Sequence, residues 1–122
     1  MAKHLLLGRK GEQMALDFLL AKGYQLLERN WRFSRAEVDL ILKDGEILVF
    51  VEVKTRSYDF YGQPEESITP KKEGLIADAA AVYMESIGHE WEIRFDIISI
   101  ILNEQKNKSV LEHYEDAFFP SI

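Results

Sequence analysis

Between residues 11 and 22 the apolar side chains Ala15, Leu16, Leu19 and Leu20 recur at helical spacing, and Gly23 follows where a left-handed stop belongs, so a first helix is predicted there. Residues 24–33 alternate less cleanly, but Tyr24, Leu26, Leu27 and Trp31 suit a strand. Two β-rich runs, 37–43 and 46–56, flank Asp44-Gly45, the dipeptide favoured by a two-residue type I′ hairpin turn. Residues 58–67 carry Gly62 and Pro64 and read as a loop. Thr69-Pro70 then has the form of an N-cap with Pro at the first helical position. A second helix is expected from there to Gly88, with Ile76, Ala79, Ala80, Tyr83 and Ile87 as its apolar stripe. Gly74 inside it costs about 1 kcal/mol relative to Ala. Residues 92–102 form a further strand, 103–107 a turn and 110–114 a short edge strand, after which the aromatics of Ala117-Phe118-Phe119-Pro120 need a surface to pack on. The expected order is α-β-β-β-α-β-β.

With Asp44 and Gly45 as the turn residues, Lys43 faces Glu46 and paired positions sum to 89, which sets Asp39 opposite Phe50 and Glu37 opposite Glu52. Val38, Leu40, Leu42, Ile47, Val49, Val51 and Val53 then share one aliphatic face that must be core. The other face is apolar near the turn, with Ile41, Leu48 and Phe50, and becomes ionisable at the open end, with Glu37, Asp39, Glu52 and Lys54. Asp39 and Glu52 are diagonal neighbours there, about 7 to 8 Å apart. Helices on either side of the hairpin imply cover on both faces, and burying carboxylates without partners costs several kcal/mol. A Mg²⁺ site offsets that cost, because Mg²⁺ keeps several waters and takes only one or two protein carboxylates. Lys54 would then lie within reach of a nucleophilic water or a scissile phosphate oxygen. The bland account of the same residues is an ion-pair cluster with no metal and no chemistry, which explains less, since buried ion pairs stabilise poorly.

At 122 residues, with no low-complexity stretch and no repeat, the chain is expected to form one soluble domain over residues 1–122. Cys is absent, which excludes disulfides, thiolate metal sites and a Cys nucleophile. The lack of a G-x-G-x-x-G, P-loop or G-x-S-x-G motif disfavours dinucleotide, nucleoside-triphosphate and serine-hydrolase chemistry. No apolar run approaches the roughly 18 residues of a membrane span, and no secretory signal pattern opens the chain, so a cytoplasmic location is expected. Lys and Arg number 15 against 21 Asp and Glu, and a net charge of -6 argues against general adhesion to DNA while allowing a local basic cleft. Arg29, Arg32 and Arg35 with Trp31 as a stacking platform form one such patch, and Arg56 and Lys72 are further phosphate-contact candidates. The alternative for these residues is a solvated surface around a core tryptophan. Arg94 and Asp96 share a face of the fourth strand as a structural ion pair, and His4, His89 and His113 have no metal-ligand spacing.

The segments Gly11-Glu12, Asn30-Trp31-Arg32, Glu37-Val38-Asp39-Leu40-Ile41, Phe50-Val51-Glu52-Val53-Lys54-Thr55-Arg56, Gly62-Gln63-Pro64, Lys72, Arg94-Phe95-Asp96 and Ala117-Phe118, in that order along nearly the whole chain, resemble the YraN-like family of small bacterial proteins. That family in turn resembles the restriction-endonuclease-like superfamily. The resemblance implies a single α/β domain, with a mixed central sheet flanked by helices around an α-β-β-β-α-β core. It also implies hydrolysis of phosphodiester bonds in nucleic acid, dependent on Mg²⁺ or Mn²⁺. The superfamily's PD-(D/E)xK signature places its metal-binding Asp at Asp39, its acidic ligand at Glu52 and its catalytic Lys at Lys54, with the Val53 carbonyl as a further metal ligand. Glu12 matches a helix-one Glu that joins the site in Holliday-junction resolvases of that superfamily, which makes structured or branched DNA an expected substrate. The chain departs from the family pattern at Ala36, where Gly is usual, and at Glu73 and Gly74, where basic residues are usual. Many nucleases of the superfamily act as dimers, and Phe118 and Phe119 are candidate contacts for a homodimer. The other function compatible with this fold is a non-catalytic module that binds nucleic acid or a protein partner.

Overall fold

Gly8 and Gly11 lower helix propensity and make the first helix read as starting late, yet it runs through both, as α1 (Lys3–Ala21). A computed structural model describes residues 3–58 and 69–118. It continues with β1 (Gln25–Phe33), β2 (Ala36–Asp44), β3 (Ile47–Ser57), α2 (Pro70–Ile87), β4 (Ile93–Asn103) and β5 (Lys108–Tyr114), the expected order. The strands form one mixed sheet in the order β1-β2-β3-β4-β5, in which only β3 and β4 are parallel. The α2 crossover makes that parallel pair possible, since no tight turn can join parallel neighbours. On one face α1 packs Ala15, Leu16 and Leu19 against Leu40, Leu42, Val49, Val51, Ile98 and Ile100. On the other, Ile76, Ala79, Ala80 and Tyr83 of α2 meet Ile41, Leu48, Phe50 and Phe95. This is a single α/β domain with a five-stranded mixed sheet and two helices, consistent with a restriction-endonuclease-like fold. No helix among the described residues is long and apolar enough to cross a membrane.

The ends of α2 follow the local chemistry. The Thr69 side chain accepts from Lys72 N, Pro70 occupies the first turn, and Gly88 closes the helix in the left-handed region at φ 66°. Two stripe positions are corrected. Leu20 is 44% exposed and Ile87 45% exposed, because the buried stripe of α1 continues through Phe18 and Met14 and that of α2 ends at Tyr83 and Met84. In β1, a register shift between Leu26 and Glu28 and a left-handed Asn30 (φ 50°) account for the poor alternation.

The hairpin register also differs from expectation. Asp44 pairs with Ile47, Ile41 with Phe50 and Leu40 with Val51, so partners sum to 91 and the two loop residues are Gly45 and Glu46. Only Gly45 has positive φ, at 62°, the pattern of a II′ turn, which needs Gly at the first loop position. A two-residue slip preserves faces, so the apolar and ionisable sides survive it, with one exception. Val38 packs with Ala36, Trp31 and the α2-side core instead of with Leu40. The regular ladder stops at Leu40–Val51, and beyond it Val53 N donates to the Asp39 carboxylate instead of to backbone, which lets β2 turn away from β3.

The β4–β5 hairpin closes at Asn103–Lys108, two residues before the expected strand start, with Asn103 Oδ1 accepting from Lys106 N. Phe118, half-buried, packs its ring on Phe95 at 5.2 Å, and Ala117 N donates to Phe95 O. Phe119, Pro120, the loop carrying Gly62 and Pro64, and the side chain of His4 lie outside the described residues.

Candidate metal centre

Just past the end of the β2–β3 ladder at Leu40–Val51, the carboxyl groups of Asp39 and Glu52 hydrogen bond to each other. Asp39 Oδ2 also accepts from Val53 N at 2.7 Å. Glu52 Oε1 is buried and has no hydrogen-bond partner. An orphaned buried acceptor costs about 1 to 3 kcal/mol, so the pair is unfinished as it stands. Burial is the largest influence on both groups. It pushes the Asp39 carboxyl up to about 6, assisted by the negative charges of Glu12 and Glu37 and opposed by the bonds from Val53 and Glu52. Glu52 is pushed further, to about 9, because Asp39 adds its charge to the burial, and the cations of Lys72 and Lys54 offset only part of this. Burial and the mutual repulsion of the two groups thus both favour a proton on the pair.

Both helices deliver charge to this end of the sheet. The helix α1 can lie close to β3 because residue 11 is Gly: a Cβ there would sit 1.8 Å from Thr55 Oγ1. That approach sets the next residue, the half-buried Glu12, near enough for its charge to act on Asp39. The capped first turn of α2 brings Lys72 toward Glu52. Lys54 lies two residues beyond Glu52 on the same face of β3, its charge also acting on Glu52.

The donor set fits a hard divalent cation: hard carboxylate oxygens, one of them buried and unpaired. Among the described residues no three His, Cys, Asp or Glu side chains converge to hold a metal. Two carboxylates are nonetheless enough for Mg²⁺, which completes its shell with water. The family model of the Uncharacterised protein family UPF0102 matches residues 11–100, a span that includes every residue of this site. The chain belongs to this family. It is 44% identical over 119 residues to a UPF0102 protein of Christiangramia forsetii, with 98% of each chain covered. It is 42% identical over 113 residues to one of Thermodesulfovibrio yellowstonii, covering 93% of this chain and 96% of the other. With one of Natranaerobius thermophilus the identity is 46% over 114 residues, covering 91% and 95%.

In this UPF0102 chain the expected basic residues have separate surroundings. Arg32 Nε is paired with Glu37 Oε2 at 2.7 Å, Arg29 donates to Gln13 Oε1, Arg35 is exposed in the β1–β2 loop, and Arg56 is half-buried on β3. Glu37 therefore faces Arg32 on β1, not Glu52 as the sequence suggested. Trp31 is half-buried, meeting Tyr83 of α2 edge-on at 5.1 Å, and the ring outside it is Phe33.

A second acidic centre was only half legible. Asp96 is fully buried, and its pair with Arg94 was expected: Arg94 Nε and Nη2 reach its two oxygens at 2.9 and 3.0 Å. His113 Nε2 at 2.8 Å and Asp116 N at 2.9 Å complete its shell. Arg94 also donates to Tyr24 OH at 2.7 Å and pairs with Glu115 at 3.2 Å. Burial by itself would raise the Asp96 carboxyl, but the bonds from His113, Arg94 and Asp116 outweigh it and hold it below the ordinary value of 3.8. With both oxygens satisfied, this centre is structural. In the sequence His113 was one of three scattered histidines, and only the β4–β5 register, which pairs it with Ile98 on the α1-covered face of the sheet, turns it inward.

Proposed function

We propose that this chain is a divalent-metal-dependent nuclease that hydrolyses phosphodiester bonds in nucleic acid, with structured or branched DNA as its substrate class. The observation that carries the proposal is the hydrogen-bonded Asp39–Glu52 pair with its orphaned Glu52 Oε1, placed where the charges of Glu12, Lys54 and Lys72 converge. Asp39 and Glu52, with the Val53 carbonyl, would hold Mg²⁺ or Mn²⁺. Bound there, the cation supplies Lewis acidity toward a phosphoryl oxygen and lowers the pKa of the attacking water.

The protein's own part is positional and electrostatic. The Val53 N–H holds Asp39 Oδ2 in place, so the carboxylate keeps one orientation. Lys54 donates to the attacking water or to a scissile phosphate oxygen and offsets the charge that gathers there. Glu12 accepts a hydrogen bond from water beside Asp39. Lys72, Arg32, Arg35 and Arg56 contact phosphates along the strand, with Trp31 behind them.

The test is a panel of linear, nicked, flapped and four-way DNA and single-stranded RNA, incubated with the parent and with Glu52→Ala in Mg²⁺, Mn²⁺ or EDTA. Cleavage is expected from the parent only with metal, and at a rate lower by about 100-fold or more in the variant. An Asp39→Ala or Glu52→Ala protein that cuts at the parent rate removes the mechanism. The net charge of -6 and the lack, among the described residues, of a third converging metal ligand favour a rival, a non-catalytic module that binds nucleic acid or protein. Such a module shifts a nucleic acid in EDTA and leaves it intact in Mg²⁺.

A further inference from the structure

At the tip of the β1–β2 hairpin Phe33 pairs with Ala36, and Ser34 and Arg35 form the loop between them. The Phe33 ring is 39% exposed. It lies 11° from parallel to Trp31, with centroids 6.5 Å apart. Trp31 meets Tyr83 at 5.1 Å, Tyr83 meets Phe50 at 6.3 Å, and Phe50 stacks on Phe95 at 5.4 Å. A row of aromatic rings thus runs from the α2-side core to the surface and ends in one open ring. A single exposed phenylalanine means little by itself. This one is braced from behind by rings that are themselves packed, so its orientation is set before anything lands on it, and little side-chain entropy is lost on binding.

Two exposed arginines adjoin it in the chain: Arg35 in the loop, and Arg32 on the opposite face of β1, where its guanidinium is paired with Glu37 Oε2 at 2.7 Å. The same Glu37 is close enough for its charge to act on Asp39, so hairpin tip and carboxylate pair are neighbours. From Ala36 to Asp39 the extended strand covers about 10 Å.

We infer that Phe33 is a stacking platform for an unpaired base, with Arg35 on a flanking phosphate of a strand whose backbone continues to the Asp39–Glu52 pair. For the position of the cut this rests on the proposed nuclease activity, and it narrows the substrate to strands with an unpaired nucleotide beside the scissile phosphate. Within a continuous duplex a base has both faces covered by its neighbours. A flap, a splayed end or a single strand offers a bare face, and any base has one, so the preference is for structure and not for sequence.

The experiment places 2-aminopurine at an unpaired position of flapped and single-stranded oligonucleotides, in DNA and RNA versions, or inside a duplex, and reads its fluorescence on titration with protein in EDTA. The parent should quench the unpaired probe in at least one of the two nucleic acids, and that difference identifies which of them the site takes. Phe33→Ala should abolish the quench and weaken binding of the unpaired substrates by about tenfold. Phe33→Tyr should restore both, and duplex binding should stay unchanged. Equal quenching by parent and Phe33→Ala, or no quenching by the parent in either nucleic acid, overturns the inference. The signal is read without metal, so it is independent of cleavage. Stacking without cleavage in Mg²⁺ keeps the platform and removes the nuclease, whereas cleavage without stacking does the reverse.

Discussion

Asp96 and Glu52 both carry buried carboxyl oxygens, but four hydrogen bonds converge on Asp96 while Glu52 Oε1 has none. The first arrangement stabilises the ionised form, and the second keeps a proton that a cation would displace. That difference has a measurable sign. Glutamic acid ordinarily titrates at 4.5, and Glu52 in the fold is pushed up to about 9. Between those values the unfolded chain has released its proton and the folded chain has not, so stability falls as pH rises through the interval. Gln does not titrate and can occupy the same space. Thermal melts in EDTA near pH 8 should therefore show Glu52→Gln more stable than the parent by about 1 to 3 kcal/mol, with the gap closing toward pH 4. Added Mn²⁺ should raise the melting temperature of the parent and leave that of Glu52→Gln where it was. A Glu52→Gln protein that responds to Mn²⁺ like the parent would show that Glu52 is not a ligand.

The approach of α1 to β3 hangs on one missing methyl group. A Cβ at residue 11 would meet Thr55 Oγ1 at 1.8 Å and Thr55 Cβ at 2.8 Å, whereas one at Gly8 meets nothing within 4 Å. Gly11→Ala should cost about 1 to 3 kcal/mol by overpacking, and Gly8→Ala should stabilise by about 0.5 to 1 kcal/mol by helix propensity. Denaturant melts of the two variants check this, and equal effects at both positions would show that the contact with Thr55 is not tight. Because Glu12 follows Gly11, the same shift of α1 should weaken Mn²⁺ binding in Gly11→Ala and not in Gly8→Ala. At this scale the sequence was legible wherever the signal was local. The Thr69-Pro70 start and the Gly88 stop of α2 stand where their chemistry put them. The hairpin did not follow as closely: Asp44-Gly45 identified the turn, but Gly45 took the first loop position and the register moved by two.

Across the whole molecule, the Asp96 centre joins Tyr24 after α1, the Asp44 end of β2, Arg94 on β4, His113 on β5 and Glu115 beyond it. Asp96 is held below its ordinary 3.8, so the stability it contributes is present above about pH 4 and is lost as pH falls through its lowered value. Asp96→Asn takes from Arg94 its buried partner, leaves it the half-exposed Asp44 and Glu115, and should cost about 3 kcal/mol near neutral pH. Chemical denaturation in steps from about pH 6 to about pH 2 should show a steeper acid loss in the parent than in the variant. Parallel curves would mean that other carboxylates govern acid unfolding.

The sequence by itself determined the element order, the helix caps, the apolar and ionisable faces of the hairpin and the family. All but the family, which rests on segments in order along nearly the whole chain, depend on residues close together, where periodicities of two and 3.6 and the turn chemistry act. Tertiary structure alone decided which charged groups have partners. Arg94 finds Tyr24 70 residues away and Asp44 50 residues away. Val38 changed sides because a carboxylate replaced a ladder bond, Phe33 displaced Trp31 as the outer ring, and Glu52 Oε1 was left without a donor. Burial and hydrogen-bond satisfaction are sums over every segment packed around an atom, so no short window of sequence contains them.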